Sequence, residues 1–287
     1  METSFLRHAA RMCHGYTLAM APNGTACLRA GAIEEAGGVR HGFSLRCGGV
    51  SEGAYESLNL SMSRMESAEA GRENFMRFCE GFGYDYDSLA IINYEHGNTV
   101  LPLTREHAGH GFGREPLPFC DGLITDDPGV TLVTSHADCG VFFFYDPVHR
   151  AAGVAHAGWK GTLLRIGAKM AEGLEKHYGS RPGDLLCAVG PCICRACYEV
   201  DMALAERFRV EFGDPGVYSP SPDPNKPDKA QLDLERAAAI QLLDAGLCPE
   251  HITLMHACTY HNADMFYSYR RDRGETGSMS GFIQLLS

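Results

Sequence analysis

The segment 134–161 constrains the fold of this chain more than any other stretch, because it joins two strand-like runs to chemically reactive residues. The runs at 140–145 and 151–155 flank an Asp-Pro pair, which is a turn signal, so the pattern predicts a β-hairpin. Counting outward from the centre of the turn sets Cys139 directly opposite His156 at the open end of the hairpin. Opposed Cβ atoms in antiparallel strands lie about 4.5–5.5 Å apart. The hairpin therefore predicts a thiol beside an imidazole.

A thiolate and an imidazole at this separation can bind one metal ion. Zinc takes its ligands at about 2.0–2.3 Å, and a catalytic zinc keeps three protein ligands and one open position. The residues around the pair are small and leave room for a ligand; they are Ala137, Gly140, Ala155, Ala157 and Gly158. The alternative is structural, with the cysteine packed as a small apolar residue and the histidine bonded to the backbone.

The net charge of −11, from 25 basic and 36 acidic residues, argues against a protein that binds nucleic acid or an anionic membrane surface. A small anionic substrate is compatible with this charge, since a few local arginines suffice to bind it. No apolar run approaches the roughly 18 residues of a membrane span, and the first residues lack a signal-peptide pattern. We therefore expect a cytoplasmic protein without nucleic-acid or membrane partners.

Twelve cysteines in a chain of 287 residues point to reduced thiols rather than to the disulfide framework of a small secreted domain. One cluster stands out, formed by Cys192, Cys194 and Cys197. It contains half of the ligands that a structural zinc site requires. No second Cys-x-x-Cys pair elsewhere in the sequence completes it, so the cluster alone does not predict a metal.

Strand and helix signals mix along the chain without regular alternation and without repeats, which predicts one mixed α/β domain. Residues 1–36 read as a variable lead-in to a domain that spans residues 37–287. Ser67 predicts the start of a helix that runs to about residue 81. Another helix is predicted from Leu163 to the glycine at 179, and further helices are predicted at 200–212 and 232–245.

Two other segments carry candidate site residues. The strand at 89–94 leads to His96, which on its own is weak evidence for a ligand. Arg46 precedes the glycine-rich loop 47–53, whose N–H groups can approach an anion. The alternative for Arg46 is a surface arginine beside a flexible loop.

Several sequence motifs together resemble those of the YfiH/YlmD laccase-domain family, whose members are called polyphenol oxidases or purine nucleoside phosphorylases. They are His-Gly at 96–97, Ala-Asp-Cys at 137–139, His-Ala-Gly-Trp-Lys-Gly at 156–161, Cys-Thr-Tyr at 258–260 and Phe-Tyr-Ser-Tyr-Arg-Arg-Asp at 266–272. Phe-Ser-Leu-Arg-Cys-Gly-Gly-Val-Ser at 43–51, Gly-Pro-Cys-Ile at 190–193 and Leu-Asp-Leu at 232–234 match further signatures. The resemblance runs from about residue 37 to the last residue.

The resemblance implies a single-domain four-layer α/β/β/α sandwich with mixed β-sheets. It also implies a metal site formed by His96, Cys139 and His156, with Zn²⁺ as the metal and Cu²⁺ as the alternative. The implied reactions are phosphorolysis of adenosine, inosine, guanosine or methylthioadenosine, and deamination of adenosine. The expected partners are a small-molecule nucleoside and phosphate, for a protein that is a monomer or a small homo-oligomer.

Four residues complete the expected site. Arg46 and Lys160, with Arg270 behind them, are candidates for binding the anionic co-substrate. Asp138 is interpreted either as a catalytic group that moves protons or as a structural cap for backbone N–H groups. The chain departs from the family pattern at Tyr94 and Glu95, where Gln-Val is usual, at Lys160, where arginine is usual, and at Ala238, where asparagine is often found. These departures bear on substrate preference, because lysine offers a point charge and arginine a planar fork.

Two other enzyme classes remain open at this stage. A copper-dependent phenol oxidase of the multicopper type needs His-x-His pairs, and the sequence contains none. An amide hydrolase acting on a peptidoglycan precursor would use Cys139 as nucleophile and His156 as base. A non-enzymatic interaction protein is the third class, and it would tolerate replacement of the three candidate ligands.

Overall fold

The described residues, 8–287 of the chain, form sixteen strands and six α-helices in the computed structural model. The strands are β1 (Cys13–His14), β2 (Thr17–Met20), β3 (Ala26–Arg29), β4 (Val39–Ser44), β5 (Leu89–Ile91), β6 (Val100–Pro102), β7 (Gly122–Thr125), β8 (Thr131–His136), β9 (Gly140–Asp146), β10 (Ala151–Ala157), β11 (Leu186–Val189), β12 (Glu199–Asp201), β13 (Tyr218–Pro220), β14 (Lys229–Leu232), β15 (Ile252–Leu254) and β16 (Met279–Leu285). The helices are α1 (Gly31–Ala36), α2 (Ala68–Phe82), α3 (Trp159–Leu163), α4 (Ile166–Tyr178), α5 (Met202–Phe212) and α6 (Leu234–Asp244). Within this part of the chain, no helix has the length and apolar character that a membrane span requires.

The strands pair into three sheets with both parallel and antiparallel neighbours. The largest sheet has seven strands in the order β1-β15-β11-β9-β10-β7-β6, and the second has six in the order β2-β3-β4-β16-β8-β5. The strands β12, β14 and β13 form a small antiparallel sheet. Parallel pairing occurs between β5 and β8 and between β6 and β7. The predicted mixed α/β fold is confirmed.

The two large sheets face each other, and helices cover their outer faces. Strand β10 packs against β8 and β16 of the opposite sheet, whereas α4 packs on β10, β7 and β6 from the other side. Helix α2 covers the six-stranded sheet, where the ring centroids of Phe78 and Phe282 lie 4.5 Å apart. The complete four-layer α/β/β/α order implied by the family resemblance stays a prediction.

Helix α2 begins and ends where its capping residues predict. The Ser67 hydroxyl accepts a hydrogen bond from the backbone N–H of Ala70 at 3.1 Å, which satisfies one of the unpaired donors of the first turn. Gly83 ends the helix in the left-handed region with φ of 73°. The predicted apolar face is buried, and it consists of Phe75, Phe78, Cys79 and Phe82.

The central hairpin forms between β9 and β10, but its register differs by two residues from the prediction. His156 pairs with Val141 and Ala157 with Gly140, so Cys139 comes opposite Gly158 rather than opposite His156. Side chains alternate between the two faces of a strand, and a shift of two residues therefore keeps each side chain on its face. Cys139 and His156 become diagonal neighbours on the same face.

The loop of the hairpin explains the shift in register. Asp146 pairs with the first residue of β10, which leaves four residues, 147–150, in the turn. The buried Asp146 carboxylate accepts hydrogen bonds from the N–H groups of Val148 at 2.8 Å and His149 at 3.1 Å. Arg150 completes the turn with a φ of 52°. These local bonds fix a turn centred between Val148 and His149, one residue later than the symmetric count assumed, and this moves the register by two residues.

Three predicted helix boundaries were wrong for identifiable reasons. The helix predicted from Leu163 begins at Ile166, because Arg165 adopts a left-handed φ of 59° that separates α4 from the short helix α3. The helix predicted at 200–212 begins at Met202, since residues 199–201 pair with β14. The helix predicted at 232–245 begins at Leu234, where the Asp233 side chain accepts a hydrogen bond from the N–H of Arg236 and acts as the N-cap.

The lead-in is structured where it is described. Strands β2 and β3 pair with each other, and β3 joins β4 at the end of the six-stranded sheet. Strand β1 runs parallel to β15 at the end of the seven-stranded sheet. The division of the chain at residue 36 stays a prediction, and residues 1–7 of the lead-in lie outside the described residues.

Candidate metal centre and substrate cavity

Three residues from three segments meet at the open end of the central hairpin. His96 follows β5, Cys139 precedes β9, and His156 lies near the end of β10. One potential ligand atom from each lies within 4.8 Å of those of the other two. His156 is buried, Cys139 is partly exposed and His96 is exposed, so the group opens to solvent on one side. The arrangement offers three ligands and one open direction.

Asp121 links two of these residues, although the sequence analysis did not identify it. One carboxylate oxygen lies 3.2 Å from His156 Nδ1, and the other accepts a hydrogen bond of 2.6 Å from the N–H of Gly97, next to His96. The backbone carbonyl of Asp121 also accepts a bond of 2.8 Å from the N–H of His156. The available sequence signal was an aspartate at the start of the strand-like run 120–125.

The Asp121 contact fixes how His156 can act. Because Nδ1 of His156 is bonded to the carboxylate, Nε2 is the nitrogen that remains for a metal. Burial raises the pKa of Asp121, but its bonds to His156 and to the N–H of Gly97 outweigh burial and hold the pKa below its usual range. The carboxylate is therefore ionised when it orients the ring.

His96 is held against the same centre by the backbone and by ring contacts. Its φ of 62° lies in the left-handed region, which few residues other than glycine adopt. Its ring stands nearly perpendicular to that of His156, with centroids 5.0 Å apart. Tyr94 stacks on His156 at 4.7 Å and meets His96 edge-on at 5.2 Å. The tyrosine thus restrains both imidazoles.

The thiol and the imidazole perturb one another electrostatically. Burial raises the pKa of the Cys139 thiol, but the His156 and His96 rings outweigh burial and lower the pKa from 9.0 to about 6. Burial disfavours the charged form of His156, yet the Cys139 thiolate and the Asp121 carboxylate raise its pKa to about 9. In the protein without metal, a thiolate and an imidazolium are therefore favoured at neutral pH.

The donor set and its surroundings fit a metal ion. Two imidazoles and one thiolate are ligands that zinc and copper accept, and an open fourth position is the pattern of a catalytic zinc site. A Cβ atom added at Gly158 would lie 3.0 Å from Cys139 Sγ and 3.3 Å from His96 Cδ2. Glycine at this position keeps the space between the ligands clear.

Asp138, adjacent to Cys139, uses both carboxylate oxygens in contacts with the protein. Thr259 Oγ1 donates a hydrogen bond of 2.6 Å to one oxygen, and the N–H of Arg270 donates one of 2.7 Å to the other. Its backbone carbonyl accepts a bond of 3.0 Å from the N–H of Ile193. These contacts match the structural interpretation, and a catalytic role for Asp138 stays a prediction.

A cavity of about 460 Å³ lies over the candidate metal centre. Its volume falls within the range of small-molecule sites, about 300–1,000 Å³. The lining combines the three candidate ligands with aromatic rings and two arginines; it consists of Arg64, Tyr94, His96, Ser135, Ala137, Asp138, Cys139, His156, Trp159, Tyr198, Tyr269 and Arg270. Such a lining suits a flat, polar ligand that also carries negative charge.

The residues predicted to bind phosphate lie in different places. Arg270 lines the cavity, whereas Arg46 and Lys160 do not. The Arg46 guanidinium lies 4.4 Å from the centre of the Tyr267 ring, and Lys160 is exposed on α3. Arg64, which the sequence analysis did not select, lines the cavity in their place. No motif marked Arg64, which lies in the segment between β4 and α2.

Replacing Gly158 by alanine is expected to weaken metal binding without unfolding the protein. The φ of −72° at this position accommodates alanine, so the effect is steric and falls on the Cys139 and His96 ligands. Overpacking of this kind costs about 1–3 kcal/mol, or roughly ten- to hundredfold in metal affinity. Competition with a chelator measures the affinity, and thermal unfolding checks the fold.

Gly140→Ala is the matched control for this variant. A Cβ atom there would lie 3.5 Å from Cys192 Cβ and 3.6 Å from Ala157 O, which are ordinary contacts. Equal metal affinity in the two variants would contradict a metal centre beside Gly158.

The reactivity of Cys139 is expected to follow its lowered pKa in protein stripped of metal. Alkylation by iodoacetamide should rise as the pH increases through about 6 and level off near neutrality, because the thiolate is the nucleophile. Zinc should suppress the reaction. Peptide mapping separates Cys139 from the other cysteines, and the buried Cys27, whose pKa is raised to about 11, serves as the unreactive reference. A midpoint near pH 9, or no protection by zinc, would contradict the geometry.

Comparison with known proteins identifies the family of this chain. Residues 40–286 match the family model described as multi-copper polyphenol oxidoreductase laccase. The chain is 37% identical over 247 residues to the purine nucleoside phosphorylase YlmD of Bacillus subtilis (strain 168), a match covering 84% of this chain and 87% of that protein. It is 34% identical over 261 residues to the protein of the same name from Geobacillus stearothermophilus, covering 89% and 93%.

Solved structures of YlmD and YfiH proteins also resemble this chain. The crystal structure of YlmD from Geobacillus stearothermophilus has a TM-score of 0.85 and 30% identity, and the match covers 94% of this chain and 99% of that chain. The Bacillus licheniformis hypothetical protein YfiH has a TM-score of 0.84 at the same identity and coverage. The chain therefore belongs to the laccase-domain family of YlmD and YfiH, several of whose members are named purine nucleoside phosphorylases.

Proposed function

We propose that this protein is a zinc-dependent purine nucleoside phosphorylase that uses His96, Cys139 and His156 as metal ligands. Its substrates in this proposal are adenosine, inosine, guanosine and methylthioadenosine, with phosphate as co-substrate. The observation that carries the proposal is the convergence of the three ligands beneath a cavity lined by aromatic rings and two arginines. The names of the relatives support the same reaction.

The aromatic lining suits a purine base. Tyr94, Trp159, Tyr198 and Tyr269 contribute to the cavity wall, and aromatic faces stack on flat bases with about 1–3 kcal/mol per base in nucleic-acid complexes. Tyr94 is already stacked on His156, which sets its ring next to the metal ligands. A base bound here would bring its sugar close to the open side of the centre.

The two arginines suit phosphate. The backbone N–H of Arg270 donates a hydrogen bond to the Asp138 carboxylate. The guanidinium carbon of Arg270 lies 5.0 Å from the centre of the Tyr198 ring. Arg64 donates a hydrogen bond of 3.1 Å to Ser278 Oγ and lies 5.6 Å from the Tyr269 ring. Both cations are therefore oriented before an anion arrives. Asp138 acts in this proposal as a positioning residue for Arg270.

Phosphorolysis exchanges one bond at the sugar for another. A phosphate oxygen forms a bond to C1′ while the C1′–N9 bond breaks, and the purine leaves with the electron pair and takes up a proton. The arginines hold the phosphate charge in place, which is the positioning that such a displacement needs. A bound zinc ion would supply Lewis acidity on the open side of the three ligands.

Deamination of adenosine is a second activity that the same residues support. In that reaction water adds to C6 of the base and ammonia leaves, so inosine is formed. The base would need to turn its C6 edge toward His96, Cys139 and His156. A shared cavity would then explain two reactions through two orientations of one nucleoside.

The lowered pKa of Cys139 also supports a different candidate, an amide hydrolase with Cys139 as nucleophile and His156 as base. We favour the metal, because a cysteine–histidine pair needs one imidazole and two converge on the thiol here. Copper in place of zinc remains compatible with the donor set. A four-copper oxidase would need more histidines than the three-residue centre offers.

Phosphate-dependent release of adenine from adenosine tests the proposal. Arg64→Gln is expected to raise the KM for phosphate about 10–100-fold, because a charge-assisted contact is worth about 1.5–3 kcal/mol. Lys160→Gln is the control, since that side chain is exposed and lies outside the cavity lining. Chromatography of the products against phosphate concentration gives the measurement.

Metal removal completes this experiment. The stripped protein should release no adenine, and added zinc should restore the reaction. Adenine release by protein shown to be free of metal would contradict the proposal. An unchanged phosphate KM in Arg64→Gln would remove Arg64 from the binding site.

A further inference from the structure

A second cluster of potential ligands lies outside the candidate active site. Cys194, Cys197, Cys258 and His261 each bring one ligand atom within 4.8 Å of the other three. Cys197 Sγ lies 3.0 Å from His261 Nε2, and Cys194 Sγ lies 3.9 Å from His261 Nδ1. The first half of this cluster is the Cys-x-x-Cys pair of Cys194 and Cys197. The second half is a Cys-x-x-His.

The backbone brings the two halves together. Cys192 and Cys258 form a parallel bridge, in which the N–H of Cys192 donates to Ala257 O and the N–H of Thr259 donates to Cys192 O, both at 3.2 Å. The segments 194–197 and 258–261 are each folded into a tight turn. The N–H of Cys197 donates to Cys194 O at 3.0 Å, and the N–H of Asn262 donates to Cys258 O at 3.2 Å.

The sulfur environment is that of a ligand rather than of a packed thiol. The N–H of Cys194 points at Cys258 Sγ with a separation of 3.4 Å, a contact that stabilises negative charge on sulfur. Cys258 is buried, but Cys194 and Cys197 are partly exposed and His261 is exposed, so apolar packing alone does not account for the assembly of the cluster. None of the twelve cysteines is in a disulfide.

We propose that Cys194, Cys197, Cys258 and His261 bind a structural zinc ion. Three thiolates and one imidazole are a standard ligand set for structural zinc, and four protein ligands complete its tetrahedron. This site differs from the candidate active centre, which supplies three ligands and leaves one direction open. The inference is independent of the proposed function, because it concerns metal content and not turnover.

The position of the cluster gives the metal a structural task. Tyr198, which follows Cys197, lines the cavity, and Thr259, which follows Cys258, donates to the Asp138 carboxylate beside Cys139. A metal ion that joins the two turns therefore also positions Tyr198 in the cavity wall and stabilises the hydrogen bond between Thr259 and Asp138. Loss of this metal should loosen the active site without removing any of its residues.

Metal analysis of protein purified without added metal tests the site. Unaltered protein should contain about two zinc ions per chain, because each cluster holds one. His96→Ala should retain about one ion, and so should the double variant Cys194→Ser with Cys258→Ser. Cys248→Ser is the matched control, a partly exposed cysteine outside both clusters, and it should retain both ions.

Two further measurements protect the test against misfolding. His261→Ala removes only an exposed side chain, and it should lower the zinc affinity of the second site while the circular dichroism stays unchanged. Cobalt substitution of the His96→Ala protein should give the strong visible absorption of a tetrahedral site with thiolate ligands. Full zinc content in the double variant would overturn the proposal. So would a Cys194–Cys197 disulfide, detected by mass spectrometry, in protein that is isolated under reducing conditions and is fully folded.

Discussion

The carboxylate of Asp121 is the contact on which the candidate centre depends. It forms hydrogen bonds with His156 on β10 and with the N–H of Gly97, next to His96. One buried side chain therefore positions two candidate ligands from distant parts of the chain. Partners of this kind fix the orientation of a ligating imidazole, and their loss typically costs 10–100-fold in metal affinity. The third ligand, Cys139, is fixed separately by its place before β9.

Much of the site was predictable because its residues lie on a local element with a strict period. The hairpin register was wrong by two residues, yet an even shift preserves the face, and so Cys139 and His156 still converge. Arg64 and Asp121 were not predicted, since neither belongs to a recognisable pattern and both act through contacts distant in sequence. The division between α3 and α4 was likewise hidden, because it depends on one left-handed residue, Arg165.

The two candidate ligand clusters differ in ways that match different tasks. The three-ligand group opens into a cavity of about 460 Å³. The four-ligand group instead joins two turns, which are followed by Tyr198 and Thr259 near the cavity. Asp138 links the two clusters. Its carboxylate accepts a hydrogen bond from Thr259, which follows Cys258, and Cys139 is the next residue in the chain. The family description mentions several coppers, but the described ligands fall into one open and one closed group. A catalytic ion and a structural ion explain this division better than a multicopper centre does.

The central claim is that His96, Cys139 and His156 bind one metal ion at the base of the cavity. Anomalous diffraction at the zinc absorption edge, from crystals of protein purified without added metal, tests this most directly. The account predicts a peak about 2.0–2.3 Å from one nitrogen of each histidine and from the Cys139 sulfur. Crystals that give no anomalous peak at these three residues at the edge of any transition metal would contradict the account.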